Sequence, residues 1–409
     1  MQTQLADFIR DTEAGREADS ILRKCTHCGF CTATCPTYRL LGDELDGPRG
    51  RIYQVKQILE GATPTASIQK HLDRCLTCRA CETTCPSGVQ YGRLADLGRQ
   101  IVEEHVPRSR RERVVRATLR ALLPNRRLFT PLLALGRAFR PLLPASLREH
   151  VPVRRAGPPS PPVPAHPQRR VLMLEGCVQP ALEPAINTHT ARVLAELGIA
   201  VERTHAAGCC GAIDQHLGHP DKARERIRRN VDAWITGLDS GADAVVVNAT
   251  GCGAQVREYA HALAADPRYA DAARRVTEAA VDPVELLEPY RERLRPAPDA
   301  PRRIAFHAPC TLQHGMGLGG RVERLLTGIG FELTPVADAH ICCGSAGTYS
   351  VLQPELSHQL RADKLSSLQA GGPELIATAN IGCLTHLQAG TERPVRHWLE
   401  LIEGVGEPA

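Results

Sequence analysis

Aromatic side chains are scarce in this chain, at 4% of 409 residues. That leaves no stacking platform for nucleic-acid bases, and a net charge of +5 is too small to mark a nucleic-acid binder by itself. Long apolar runs are also missing. No stretch of about 18 uncharged apolar residues occurs, so nothing reads as a membrane-spanning helix. Residues 1–20 carry Asp7, Arg10, Asp11, Glu13, Arg16 and Glu17, which excludes the apolar core of a signal peptide there. No dinucleotide fingerprint and no flavin site is recognisable.

Cysteine, by contrast, is plentiful: there are 16, and all of them fall in repeated patterns. Secreted cysteine-rich chains are normally small and stapled by disulfides, whereas these cysteines sit at metal-ligand spacings in a long chain, which points to the reducing cytosol. The first pattern is Cys25-x-x-Cys28-x-x-Cys31-x-x-x-Cys35-Pro36, repeated as Cys75-x-x-Cys78-x-x-Cys81-x-x-x-Cys85-Pro86. This is the ligand run of a protein holding two four-iron (4Fe-4S) clusters. The C-x-x-C-x-x-C loop wraps three thiolates onto one face of a cubane, and the fourth must come from elsewhere. In bacterial two-cluster ferredoxins the cysteine before the proline ligates the other cluster. Mapped here, Cys25, Cys28, Cys31 and Cys85 would hold one cluster, and Cys75, Cys78, Cys81 and Cys35 the other. The alternative is two zinc sites, although zinc usually takes two C-x-x-C pairs rather than triplets with a trailing Cys-Pro. Lys24, His27 and Arg79 either raise the cluster potentials or are solvated surface. The segment Gly47-Pro48-Arg49-Gly50-Arg51 either presents arginines to a partner or cluster, or simply turns into the next helix.

The second pattern is a lone cysteine, a Cys-Cys-Gly and another lone cysteine: Cys177, Cys209-Cys210-Gly211, Cys252, then Cys310, Cys342-Cys343-Gly344, Cys383. Equivalent cysteines lie 133, 133, 133 and 131 residues apart, the mark of a duplicated unit. Around them strands and helices alternate. Strands are expected at Val171–Leu174, Ile199–Val201, Ala244–Val247, Ile304–Phe306, Phe331–Thr334 and Leu375–Ala377. Helices are expected at Pro184–Leu197, Lys222–Ile235, Arg321–Ile329 and Pro354–Leu368. Ligands of open α/β sheets sit at the carboxyl ends of parallel strands, where each repeat would gather its four thiols on one site.

With 43% hydrophobic and 23% charged residues the chain can build two or three domains. The expected fold class is α+β multidomain: a mostly helical, ferredoxin-like head with two four-iron clusters, followed by two repeated small α/β cysteine-rich domains. The head spans 1–105, with helices expected over Ile52–Leu59 and Ile68–Leu72. A basic amphipathic region and linker occupy 106–168, the first repeat 169–300 and the second 301–409. Residues 105–150 contain eleven arginines against two glutamates, interleaved with apolar residues and broken at Pro124, Pro131, Pro141 and Pro144. This stretch either contacts an anionic membrane face or a partner, or forms a solvated helical face. Pro152–Pro167 holds seven prolines in sixteen residues and is expected to be extended and poorly ordered.

The repeats resemble the cysteine-rich domain of heterodisulfide reductases and of the iron–sulfur subunits of glycerol-3-phosphate dehydrogenase, lactate utilisation and glycolate oxidase. That pattern ends in C-x-x-C, whereas here Cys252 is followed three residues on by Gln255, and Cys383 by His386. Four thiols per repeat could hold zinc or a further cluster, with His386 or His307 as a ligand in the second repeat, or could be buried reduced thiols. His314 and His340 stay open in the same way. Cys28-Gly29-Phe30-Cys31-Thr32-Ala33-Thr34-Cys35-Pro36, Leu41-Gly42-Asp43-Glu44-Leu45-Asp46-Gly47-Pro48-Arg49-Gly50-Arg51, Cys342-Cys343-Gly344-Ser345-Ala346-Gly347-Thr348-Tyr349 and Val395-Arg396-His397-Trp398 are similar to the bacterial glycolate oxidase iron–sulfur subunit family. The resemblance implies an electron-transfer subunit of a glycolate-oxidising complex. Separate FAD-binding subunits would oxidise glycolate to glyoxylate in a hetero-oligomer, and a quinone or other membrane acceptor would take the electrons. It further implies a cytoplasmic chain, peripheral on the inner membrane. The alternatives are a glycerol-3-phosphate or lactate dehydrogenase subunit, or a disulfide or quinone reductase that uses the Cys-Cys-Gly units itself.

Overall fold

The structure is a computed structural model, and it describes residues 1–144, 148, 151–153, 157, 159, 161 and 164–405. The expected extended course of Pro152–Pro167 lies largely outside the described residues. The fold is α+β and multidomain, a helical head followed by two α/β repeats.

In the head, α1 (Glu13–Lys24), α2 (Pro48–Leu59), α3 (Ala66–Asp73) and α4 (Tyr91–His105) bury Ile21, Leu22, Ile52, Val55, Leu59, Leu72 and Leu94 together. Thr12 caps α1 by accepting from the Gly15 N–H, and Pro48 opens α2 where a missing N–H costs nothing. Gly98 lets α4 close on α2: a Cβ there would lie 2.6 Å from Val55 Cγ2. The basic stretch forms α5 (Arg110–Leu122), started by a Ser109/Glu112 capping box, and α6 (Arg126–Ala138). Pro124 separates them as expected. Pro131 does not break α6, because it lies on the exposed face, where water can take the carbonyl that loses its N–H partner.

The first repeat has four parallel strands in the order β2-β1-β3-β4: β1 (Arg169–Met173), β2 (Ile199–Arg203), β3 (Ala244–Val246) and β4 (Ala280–Val281). Its crossovers are α7 (Pro184–Glu196) and α8 (Pro220–Asp239), and α9 (Thr250–Val256) follows β3. The two-residue β4 is too short for a periodicity to show. Next comes β5 (Leu294–Pro296). The second repeat mirrors the first, with order β7-β6-β8-β9 from β6 (Arg303–His307), β7 (Glu332–Leu333), β8 (Leu375–Thr378) and β9 (Val395–His397). Its helices are α10 (Arg321–Gly328), α11 (Pro354–Gln369) and α12 (Ile381–Gln388).

Alternate residues of each sheet face different cores. Val171, Ile199 and Val246 share one core with Ile304, Phe306, Leu375 and Trp398, while Leu172 and Val245 face the other way, with Trp234. The two repeats are thus joined through one common core. The final strand β10 (Ile402–Gly404) also pairs antiparallel with β5, which precedes the second repeat. Among the described residues no helix is long and apolar enough to cross a membrane.

Candidate metal centres

The two C-x-x-C-x-x-C loops are built alike. Each leaves a helix end at its first cysteine and passes two residues of positive φ, His27 (59°) and Gly29 (87°) in one loop, Thr77 (54°) and Arg79 (61°) in the other. Each then enters a one-turn helix, Phe30–Ala33 or Ala80–Thr83, which carries the third cysteine. A β-branched residue at positive φ is strained by about 1–3 kcal/mol. Thr77 is held there by Arg99, whose Nη1 donates to Thr77 Oγ1 at 2.7 Å. Cys35 precedes the helix Pro36–Leu41, so the proline fixes the direction in which the fourth cysteine leaves the loop.

These loops enclose two cavities. Cys25, Cys28, Cys31 and Cys85 line one, and Cys35, Cys75, Cys78 and Cys81 line the other, with Cys81 also touching the first. The fourth cysteine of each run therefore lies with the other run's triplet. None of the sixteen cysteines is joined in a disulfide. Burial pushes the Cys31 thiol up to about 11, helped by Cys25 beside it, and pushes Cys78 and Cys81 well above the ordinary thiol value. Four thiols converging on one cavity are a donor set that a bound cluster completes, so both cavities fit a thiolate-ligated cluster.

The surroundings of the two cavities differ. The first opens to solvent, with Cys28 and Phe30 exposed at its rim and Tyr53 exposed nearby, edge-on to His27. The second is flanked by buried guanidinium groups. Arg51, 1% exposed, donates to His71 O at 2.7 Å and Thr37 Oγ1 at 3.1 Å, and its Nη1 lies 4.0 Å from Cys35 Sγ. Arg99 donates to the carbonyls of Leu72 and Cys75. Burial alone would raise the Cys75 thiol, but Arg51 and Arg99 outweigh it and hold it below its ordinary value. Among the charges singled out in the sequence, Lys24 is exposed, His27 is pushed down by burial toward its neutral form, and Arg79 is tied to Glu82 and Glu258 at 2.9 and 2.8 Å. Arg99 carried no sequence signal, and only packing reveals the role of Arg51.

The second cavity rests against the second repeat. Leu76 packs with Cys342, Tyr349 and Leu360, and Cys78 and Cys310 border that cluster. Tyr349 Oη donates to Arg74 O at 3.2 Å, and Arg39 pairs with Asp338 at 2.7 Å. On the first repeat's side, Glu258 binds Arg79 and Arg93, and Glu17 faces His261 at 2.8 Å. The basic helix α5 joins head to repeat. Arg108 and Arg116 bind Asp73, and Arg120 binds the buried Asp214.

Each repeat gathers its thiols at the carboxyl ends of its strands. Cys177 follows β1, Cys209 and Cys210 follow β2, and Cys252 lies on α9. Cys310 follows β6, Cys342 and Cys343 follow β7, and Cys383 lies on α12. In the first repeat, hydrogen bonding to Cys209 together with burial pushes Cys177 and Cys210 well up, while the same bonds hold Cys209 well down. In the second, Cys310 Sγ lies 3.9 Å from Cys342 Sγ, and the ligand atoms of His307, Cys343 and Cys383 lie within 4.8 Å of one another. His386 instead contacts Ser357 Oγ at 3.3 Å, and His314 bridges Thr83 and His340 O.

The run Gly315-Met316-Gly317-Leu318-Gly319-Gly320 has dinucleotide-fingerprint spacing that the sequence reading passed over. It begins eight residues after β6 and follows the helical turn Thr311–Gly315, so the tight strand–turn–helix context is not formed.

A family model described as a 4Fe-4S dicluster domain matches residues 21–89, and one described as a cysteine-rich domain matches 171–257 and 304–388. The chain is 54% identical to the glycolate oxidase iron-sulfur subunit of Escherichia coli (strain K12), over 98% of each chain. It is 32% identical to the probable glycolate oxidase iron-sulfur subunit of Bacillus subtilis (strain 168), over 91% of this chain and 89% of that one. Lactate utilization protein A of Geobacillus kaustophilus is 26% identical over 53% of this chain and 90% of its own length.

Proposed function

The chain belongs to the family of glycolate oxidase iron–sulfur subunits, and from that premise we propose that it is the electron-transfer subunit of a glycolate-oxidising complex. A flavin-bearing partner oxidises glycolate to glyoxylate, and this chain carries the electrons to a membrane quinone. Cys25, Cys28, Cys31 and Cys85 hold one four-iron cluster, and Cys75, Cys78, Cys81 and Cys35 the other. Such clusters, when bound, supply one-electron carriers. The observation that carries the reading is the pair of thiol-lined cavities that share Cys81, one with Cys28 exposed at its rim and the other bordered by the second repeat at Leu76 and Cys78.

The chain's own residues give the relay a direction. The exposed Phe30 and Tyr53 mark the face where the flavin partner docks. Around the second cavity, Arg51 and Arg99 place buried positive charge that favours the reduced state, so electrons entering at the open cavity are drawn inward.

The membrane side is α6. Its inner face docks through Leu133 and through Arg137, which donates to Ala181 O and Leu182 O at 3.0 Å each. Its outer face leaves Leu128, Leu132, Leu135 and Phe139 exposed at helical spacing, and Arg110, Arg111, Arg113, Arg126 and Arg127 are exposed along α5 and α6. An apolar stripe beside arginines suits an anionic bilayer surface, here the cytoplasmic face of the inner membrane.

The test is anaerobic purification with iron and sulfide analysis and electron paramagnetic resonance. About eight irons and eight sulfides, with coupled signals on reduction, are expected. With the flavin-bearing subunits present, glycolate-dependent dye reduction should vanish in Cys28→Ser. A chain holding zinc and no sulfide would overturn the reading.

A further inference from the structure

The two cysteine-rich repeats are not chemically equivalent. At the place where the first repeat has Leu174, packed in an apolar cluster with Cys210, the second has His307, which is 2% exposed. A ring nitrogen of His307 and the sulfurs of Cys343 and Cys383 all lie within 4.8 Å of one another, about the spread of ligands around a single small ion. Thr378 Oγ1 sits 2.9 Å from His307 Nδ1 and orients the ring, as the outer partner of a metal-bound imidazole does. An Nδ1–H donated to Thr378 would leave Nε2 to present its lone pair. Asn380 Nδ2 contacts Cys383 Sγ at 3.4 Å, a second outer contact, this time to a thiolate. Cys342 stands outside this group, with its sulfur 3.9 Å from that of Cys310. Nothing matching His307 exists in the first repeat, where Leu174 takes its place and Tyr259 and Asn230 bond the backbone carbonyls of Cys210 and Cys209.

We propose that the second repeat alone carries a mononuclear site for a zinc-class divalent ion, formed by the thiolates of Cys343 and Cys383 and the imidazole of His307, with the fourth position left for water or an added ligand. The site goes beyond the relay and does not depend on it. Cys343 adjoins Cys342, which packs with Leu76 and Cys78 at the second cavity, so an ion held by this group would brace that cavity's wall.

The experiment uses the full chain, purified anaerobically and loaded with cobalt as a coloured substitute for zinc. Metal content is measured together with the visible spectrum. The wild-type chain should take up about one cobalt and show the intense bands of a tetrahedral, thiolate-bound ion. His307→Leu, which installs the first repeat's own residue, should weaken cobalt binding at least tenfold and shift the bands, while head iron and sulfide stay unchanged. Cys383→Ala should abolish the signal, and Cys210→Ala in the first repeat should keep it. Retained iron in each variant shows that the chain is folded. An unchanged cobalt spectrum in His307→Leu, or about four extra irons with sulfide in place of one ion, would overturn the proposal. Loss of head iron alone would count against the relay and leave this site standing.

Discussion

Arg51 and Asp46 form an ion pair at 3.3 Å with both side chains essentially out of solvent, at 1% and 0% exposure. Asp46 also takes Arg74 at 2.7 Å, so one carboxylate anchors two guanidinium groups beside the second cavity. Replacing Arg51 by Met removes a buried positive charge 4.0 Å from Cys35 Sγ. The midpoint potential of one cluster should fall by roughly 60 mV, a tenfold change in a one-electron equilibrium, and stability by about 3 kcal/mol. A redox titration followed by electron paramagnetic resonance checks the first, and denaturant unfolding the second. An unmoved potential would mean that Arg51 serves only the fold.

The grouping of Cys85 with the first triplet and Cys35 with the second makes a paired prediction. Cys85→Ser should disturb the cluster at the first cavity, and Cys35→Ser the one at the second. Combining each with Cys28→Ser tells them apart: Cys85→Ser plus Cys28→Ser damages one cluster, whereas Cys35→Ser plus Cys28→Ser damages both. The reverse result would mean that each run binds its own cluster.

The exposed stripe of α6 can be tested without disturbing the core. Leu132 and Leu135 are 49% and 55% exposed, so Leu132→Asp with Leu135→Asp should change stability by less than about 1 kcal/mol. Binding to anionic vesicles, measured by flotation, should drop at least tenfold. High salt should weaken the wild-type chain, since exposed arginines supply part of the attraction. A wild-type chain that fails to float at low salt would remove the membrane role.

Asp282 supplies a pH test. It is 2% exposed and caps the helix Pro283–Leu287 through the Val284 N–H at 2.9 Å, and burial lifts its carboxyl to about 7. An unfolded aspartate titrates near pH 4, so between about pH 4 and 7 the folded chain holds a proton that the unfolded chain has lost. The contribution is therefore fully present below about pH 4, declines as the pH rises to about 7, and is flat above. Asp282→Asn keeps the acceptor and removes the titration. It should gain on the order of 2–4 kcal/mol at pH 8 and little at pH 4, measured by urea unfolding at both. Equal gains at both values would assign the effect to something other than ionisation.

The sequence by itself determined what is local or periodic. The ligand runs, the duplication, the strand–helix alternation and the helical start at Pro48 all rest on near neighbours along the chain, so residue order was enough to see them. The gathering of thiols at strand ends followed from the parallel topology that such alternation implies. Tertiary structure decided whatever depends on partners far apart in the chain. Arg108, Arg116 and Arg120 look like free surface charge in the sequence, yet they bind Asp73 and Asp214 because α5 folds between head and repeat. Arg51 and Arg99 turn inward because the cavity wall around Cys75 needs positive charge and carbonyl-binding donors. His307 meets Cys343 and Cys383 because β6 and β8 are neighbours in one sheet and present His307 opposite Thr378. Which cavity borders the second repeat was fixed by the docking of that repeat against Leu76 and Cys78, a contact between segments more than 200 residues apart that no local pattern records.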